Sequence, residues 1–151
     1  MISMRSNNTY YIHYGSTKFS QERWVDIKNQ NWIKPKGGLW ASRVNSSYGW
    51  KEWNDTSNYA PCIITNSFTF RIRGCSPILV INSLNVLREL YEQGKAKFMF
   101  NDVYVLDFEK LKEEYDAIDF RLSECPSLYH AMYGWDCDST LILNRYCMIF
   151  D

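Results

Sequence analysis

Long apolar segments and an excess of charge of one sign are both missing from this sequence of 151 residues. No run approaches the roughly 18 apolar residues of a membrane-spanning helix, and residues 1–8 hold no apolar stretch of signal-peptide length. The 17 basic and 17 acidic side chains cancel, which argues against a nucleic-acid-binding charge spread over the whole surface but leaves room for a local basic groove. We therefore expect a soluble cytoplasmic protein without a membrane partner.

Residues that bind metals are also scarce. The chain has two histidines, and its five cysteines show no CxxC spacing. This composition predicts reduced, mostly buried thiols and no metal site.

Aromatic residues, in contrast, are plentiful, since tryptophan, tyrosine and phenylalanine make up 17% of the chain. The length predicts one domain, which we place at residues 9–151 behind a short arm at 1–8. Hydrophobic patterning predicts seven to nine short strands and about three helices without strict βαβ alternation. The expected fold class is α+β, with a mostly antiparallel sheet as its core.

Several local predictions can be tested directly against a structure. Ser20 is a candidate cap for a helix from Gln21 to about Asn31, and Asp107 for a helix through Glu114. Residues 62–64 are typical of a short strand. The runs 139–143 and 146–150, separated by Asn-Arg, predict a terminal hairpin.

Two clusters of residues have features of a ligand site. In the first, His13 ends a predicted strand beside Gly15 and Ser16, where it is either a ligand contact or a hydrogen-bonded turn residue. In the second, paired glycines at 37–38 precede Trp40, so backbone and an aromatic face can both approach a bound group. The alternative for this second cluster is a glycine turn that leads to a core tryptophan.

A third cluster carries two carboxylates. Asp136 and Asp138 precede the apolar run 141–143, and residues two apart on a strand point to one face. Such acids can stabilise a developing cation or activate a hydroxyl, or they can be a solvated strand entrance. The loop or short helix around Tyr48, Trp50 and Trp53 supplies either a pocket wall or packing.

Taken together, these motifs resemble the NAD-dependent ADP-ribosyltransferase fold, in the branch of diphtheria toxin and the poly(ADP-ribose) polymerases. That branch has a His-Gly-Ser/Thr strand end, a Gly-Ile-Tyr-Phe-Ala-like strand and a C-terminal glutamate. Here His13 stands for the histidine, Trp40 for the tyrosine and Asp138 for the glutamate. The order matches from residue 9 to 143, with Tyr14 inserted before the glycine.

The resemblance implies a single domain with a split β-sheet core, NAD as substrate and a role for each motif residue. His13 and Ser16 would hydrogen-bond the adenosine-side ribose, and nicotinamide would stack on an aromatic ring. Asp138 would bind the 2′-hydroxyl of the nicotinamide ribose, while Asp136 would orient the acceptor. The implied catalytic residues are His13, Trp40, Asp136 and Asp138. The implied NAD contacts are His13, Gly15, Ser16, Gly37, Gly38, Leu39, Trp40, Ser42, Tyr48 and Trp50.

The functional expectation is therefore a small ADP-ribosyltransferase of toxin, defence or counter-defence type, acting on a protein or nucleic-acid acceptor. One alternative is a non-catalytic module that binds a nucleotide or a protein through the same aromatics. Another is an RNA-processing enzyme that uses His13 and His130 as acid and base. Arg71 and Arg73 share one face of a predicted strand, where they either bind phosphates or form a solvated surface.

Overall fold

The structure is a computed structural model that describes residues 9–31, 33–58, 62–100 and 102–151. Its strands are β1 (Tyr11–Tyr14), β2 (Leu39–Arg43), β3 (Ser67–Ile72), β4 (Ile78–Ile81), β5 (Ala96–Met99), β6 (Val103–Leu106), β7 (Ala117–Phe120), β8 (Ser139–Ile142) and β9 (Met148–Ile149). Its α-helices are α1 (Trp50–Ser57), α2 (Leu84–Glu92), α3 (Phe108–Leu111) and α4 (Leu128–Ala131). Within the described ranges, the helices are too short or too polar to cross a bilayer.

Seven strands form one sheet in the order β4-β7-β8-β2-β1-β3-β9. The pair β4–β7 is parallel, and the other recorded pairs in this sheet are antiparallel. Strands β5 and β6 form a separate antiparallel pair. The prediction of one small α+β domain with a mostly antiparallel sheet is confirmed, with four α-helices in the described part rather than about three.

The two faces of the large sheet carry different cores because side chains alternate along each strand. The larger core lies on the face covered by α2, α3 and α4, and its fully buried members include Leu87, Leu111, Phe120 and Leu128. The opposite face carries a smaller cluster of buried residues around Tyr11, Phe70, Ala117, Ile142 and Met148. Two depressions lined by Phe68 open on this second face, which therefore leaves room for a site.

The predicted helix from Gln21 to Asn31 is wrong. A 3₁₀ turn covers only Gln21–Arg23, and the chain then runs in irregular extended form. Lys28 and Lys36 exchange backbone hydrogen bonds at 3.0 and 2.9 Å, and the Gly38 amide donates to the Val25 carbonyl at 2.9 Å. These long-range bonds replace the i to i−4 bonds of a helix, in a segment where valine, isoleucine, aspartate and asparagine are weak helix formers.

The predicted terminal hairpin is also wrong. Strand β8 lies between β2 and β7, whereas β9 pairs with β3. The Asn144 side chain accepts a hydrogen bond from the Tyr146 amide at 3.1 Å, at the start of a 3₁₀ turn at Arg145–Cys147. After this turn, β9 lies at the edge of the sheet beside β3.

Two smaller predictions need correction as well, and one strand was not predicted. The helix that Asp107 caps ends at Leu111, the residues 62–64 do not form a strand, and β5 has no sequence prediction. The arm at residues 1–8 lies outside the described residues.

Candidate functional site

The three resembling motifs lie on neighbouring strands. His13 is in β1, Trp40 is in β2, and Asp138 immediately precedes β8, so the order β8-β2-β1 brings them to the centre of the sheet. The Nδ1 atom of His13 lies 2.6 Å from the Trp40 carbonyl oxygen. Because a carbonyl only accepts, Nδ1 carries the proton and Nε2 is left as the acceptor.

The His13 ring is half-buried against Phe68, with ring centroids 5.1 Å apart. Burial lowers the pKa of His13 below its ordinary value of 6.5, and the bond to the Trp40 carbonyl offsets part of that effect. The imidazole is therefore neutral at physiological pH, and its Nε2 can accept a hydrogen bond from a ligand hydroxyl.

A cavity of about 170 Å³ opens beside His13. Its lining includes five residues of the implied NAD contact set: His13, Gly15, Ser16, Gly38 and Leu39. Lys18 and Arg23 add positive charge, aromatic rings form further walls, and no carboxylate lines the cavity. Since pockets for drug-sized ligands begin near about 300 Å³, this cavity fits one part of a nucleotide, such as a ribose or a phosphate.

The paired glycines permit a close approach within the chain itself. A Cβ at Gly37 would lie 2.4 Å from the Asp26 carbonyl oxygen, and one at Gly38 would lie 2.7 Å from the Ile142 carbonyl oxygen. Both glycines also have positive φ, at 84° and 74°. The pair holds the 25–28 segment against the sheet, and Gly38 still forms part of the cavity wall.

The Trp40 side chain lies on the opposite face of the sheet from His13. Its ring packs edge-on against Trp135 at 4.8 Å and Trp50 at 6.1 Å between centroids. Lys34 Nζ lies 5.4 Å from the Trp40 ring centroid and 5.7 Å from that of Trp50, within cation–π range. The buried indole nitrogens of Trp50 and Trp135 have no hydrogen-bond partner among the described residues.

Ser42 connects this tryptophan cluster (Trp40, Trp50 and Trp135) to the acidic motif. The Ser42 hydroxyl donates to the Asp138 carbonyl at 3.1 Å and accepts from the Trp50 amide at 2.9 Å. The Asp138 amide donates to the Tyr48 carbonyl at 2.8 Å. The loop that precedes α1 is thus hydrogen-bonded both to β2, through Ser42, and to Asp138.

The Asp138 carboxylate is closed off from solvent, at 2% exposure. Ser123 donates its amide at 2.8 Å and its hydroxyl at 2.6 Å, and Ser46 donates its hydroxyl at 2.8 Å. Arg43 Nη2 adds a longer contact of 3.5 Å. A ribose hydroxyl would have to displace one of these donors to reach the carboxylate.

Sequence reasoning missed the charged network around Asp138. Asp119 is buried beside Arg43 Nε at 3.7 Å and Arg121 Nη2 at 3.0 Å. Burial raises the pKa of Asp119, and the two arginines oppose that shift. The available signal was the Asp119–Arg121 spacing within an otherwise apolar strand, where charges are rarely buried unless paired.

Asp136 differs from Asp138, because it is half-buried and no described residue hydrogen-bonds or pairs with its carboxylate. Burial raises the pKa of the neighbouring Cys137 thiol to about 12, with Asp138 and Asp136 adding to the shift and Lys34 opposing it. Cys137 therefore stays protonated and is a poor nucleophile. All five cysteines are free thiols, and no cluster of three potential metal ligands occurs in the described ranges.

Comparison of the chain with protein-family models, curated proteins and solved structures gave no match.

Proposed function

We propose that this chain is a small ADP-ribosyltransferase that uses NAD as substrate, on an ADP-ribosyltransferase-like fold. The observation that carries the proposal is the 2.6 Å bond from His13 to the Trp40 carbonyl, which links the motif histidine to the strand that carries the motif tryptophan. One half-site is the cavity beside His13, and the other is the tryptophan cluster with Lys34 and the acidic motif. We assign the adenosine-side ribose or a phosphate of NAD to the cavity, and the nicotinamide riboside to the tryptophan cluster.

The side-chain chemistry supports this division. The neutral His13 Nε2 and the Ser16 hydroxyl suit ribose hydroxyls, and Lys18 and Arg23 suit the pyrophosphate. The tryptophan cluster suits a planar nicotinamide ring.

The transfer itself breaks the bond between nicotinamide nitrogen and the ribose C1′. Nicotinamide leaves with the bonding electron pair, and an acceptor oxygen or nitrogen forms the new bond to C1′ and loses its proton. A carboxylate stabilises the oxocarbenium-like transition state. Geometry favours Asp136 for this role over Asp138, because the Asp138 oxygens already accept from Ser46 and Ser123.

A second candidate is a module that binds NAD or ADP-ribose without turnover. The closed carboxylate of Asp138 favours it, since the residue that stands for the family's catalytic glutamate then holds the fold together.

Binding and turnover of NAD test both candidates. We expect saturable NAD binding by calorimetry and nicotinamide release by mass spectrometry. Release should be lost in Asp136→Asn, while binding remains. His13→Gln should weaken binding, and His130→Gln is the matched control because His130 is exposed on α4, outside both half-sites.

The outcomes separate the possibilities. Binding without release in the wild type leaves the nucleotide-binding module. Release that survives Asp136→Asn but is lost in a folded Asp138→Asn variant returns the catalytic role to Asp138. Absence of both binding and release, with cell lysate supplied as acceptor, contradicts the proposal.

A further inference from the structure

A second, larger groove adjoins the cavity beside His13. It has a volume of about 590 Å³ and shares Lys18, Phe19 and Phe68 with that cavity. It continues along the open face of the sheet to Arg73, Arg145, Tyr146, Phe150 and Asp151. The two depressions therefore form one continuous surface.

The groove is basic although the whole chain has no formal net charge. Lys18, Arg73 and Arg145 line it, against a single carboxylate at Asp151. That carboxylate is already engaged by Arg71, at 2.7 Å, and by the Tyr10 hydroxyl, at 3.1 Å. The three cations outnumber the carboxylates that line the groove and form a local positive patch.

Aromatic rings are interleaved with these cations. Phe150 is 47% exposed and stacks on Phe19 with centroids 5.5 Å apart. Tyr146 is 68% exposed, and the Arg145 guanidinium carbon lies 4.8 Å from its ring centroid. Arg73 Nε donates to the Tyr146 carbonyl at 2.9 Å, so one arginine holds the tyrosine backbone while the other lies against its ring.

We propose that this groove binds a single-stranded nucleic acid, which is the acceptor for the transferred group. Cations spaced along a groove neutralise successive phosphates, and exposed rings stack unpaired bases without needing a particular sequence. An acidic peptide would use the cations but leave the Tyr146 and Phe150 faces without planar partners. Strand binding stands independently, whereas the acceptor role rests on the proposed function.

The test is fluorescence anisotropy with labelled single-stranded DNA and matching RNA of about 12 nucleotides, in the absence of NAD. With three phosphate contacts, the logarithm of the affinity should fall with the logarithm of the salt concentration at a slope of about −2. The double variant Arg73→Gln/Arg145→Gln should bring the slope to about −0.7. Tyr146→Ala should weaken binding about fivefold or more through lost stacking.

The matched control is Arg88→Gln/Lys97→Gln, which removes two exposed cations from α2 and β5, outside the groove. This control should bind like the wild type. Equal losses in the control and groove variants, or no oligonucleotide binding by the wild type, would overturn the proposal. So would tighter binding of polyglutamate than of either oligonucleotide.

NAD binding by the same groove variants separates this inference from the proposed function, because Arg73, Arg145 and Tyr146 do not line the cavity beside His13. Oligonucleotide binding by a chain that never binds NAD would refute only the acceptor role.

Discussion

The surroundings of Asp138 and the cavity beside His13 lie on the same sheet but are built in opposite ways. Around Asp138, serine and arginine donors satisfy the carboxylate, and 2% of the residue is exposed. Around His13, the walls are half-exposed, the cations Lys18 and Arg23 have no carboxylate within ion-pair distance among the described residues, and one ring nitrogen is left as an acceptor.

The difference separates stability from binding capacity. A buried polar group that is fully hydrogen-bonded fixes the fold, whereas an open group with spare hydrogen-bonding capacity can serve a ligand. By this criterion, Asp138 fixes β8 against the loop before α1, and His13 has a ring nitrogen with spare capacity beside a cavity.

The largest loss of stability should come from removing the buried Asp138 carboxylate. Asp138→Ala leaves Arg43 and two serine hydroxyls without their acceptor, and breaking a buried charged pair costs about 3–5 kcal/mol of unfolding free energy. Asp136→Ala is the matched control, and it should change stability by no more than about 0.5 kcal/mol because its carboxylate has no described partner. Urea denaturation of both variants measures the contrast. Equal losses would contradict the assignment of Asp138 as the structural acid.

A smaller loss of stability should come from a substitution at Gly38, which forms part of the wall of the cavity beside His13. Gly38→Ala places a Cβ 2.7 Å from the Ile142 carbonyl oxygen at a φ of +74°, and we expect a loss of about 1–3 kcal/mol from overpacking in addition to the backbone strain. Gly94→Ala has the same φ of +74°, but its nearest neighbour would be Lys110 Nζ at 3.9 Å. The difference between the two thermal unfolding curves therefore isolates the close approach from the backbone strain. A larger loss of stability in Gly94→Ala would show that the neighbours of Gly38 move to accommodate an added methyl group.

Local sequence patterns were sufficient to predict the elements that carry the site. The residue patterns predicted strands at the positions of β1 and β8, the resemblance put Trp40 in a strand that is β2, and each motif residue lies at the predicted position in or beside its strand. The closed state of Asp138 was not predictable because it depends on Ser46, which is 92 residues away in sequence, and on Ser123, which is 15 away. The terminal hairpin failed for the same reason, since β9 pairs with β3 and not with its neighbour in sequence.

The smallest expected effect is a pH-dependent loss of stability that arises from His13. Burial lowers the pKa of His13 in the folded chain below the unfolded value of 6.5, so the folded state resists protonation. The sign follows from linkage: stability is complete above the unfolded pKa and is lost as pH falls through 6.5 towards the folded value. Unfolding free energies measured from about pH 7.5 to 5.5 should therefore decline. The decline should flatten in His13→Gln and persist in His130→Gln.

The same protonation links stability to ligand binding at this site. His13 Nδ1 already donates to the Trp40 carbonyl, so a proton on Nε2 would convert the remaining acceptor into a second donor. NAD affinity should then fall as the pH passes below the folded-state pKa of His13, just under the interval in which stability declines, and both declines should be lost in His13→Gln. An NAD affinity that is independent of pH, alongside a stability that declines, would place the ligand away from Nε2 and leave His13 as a structural residue of the strand end.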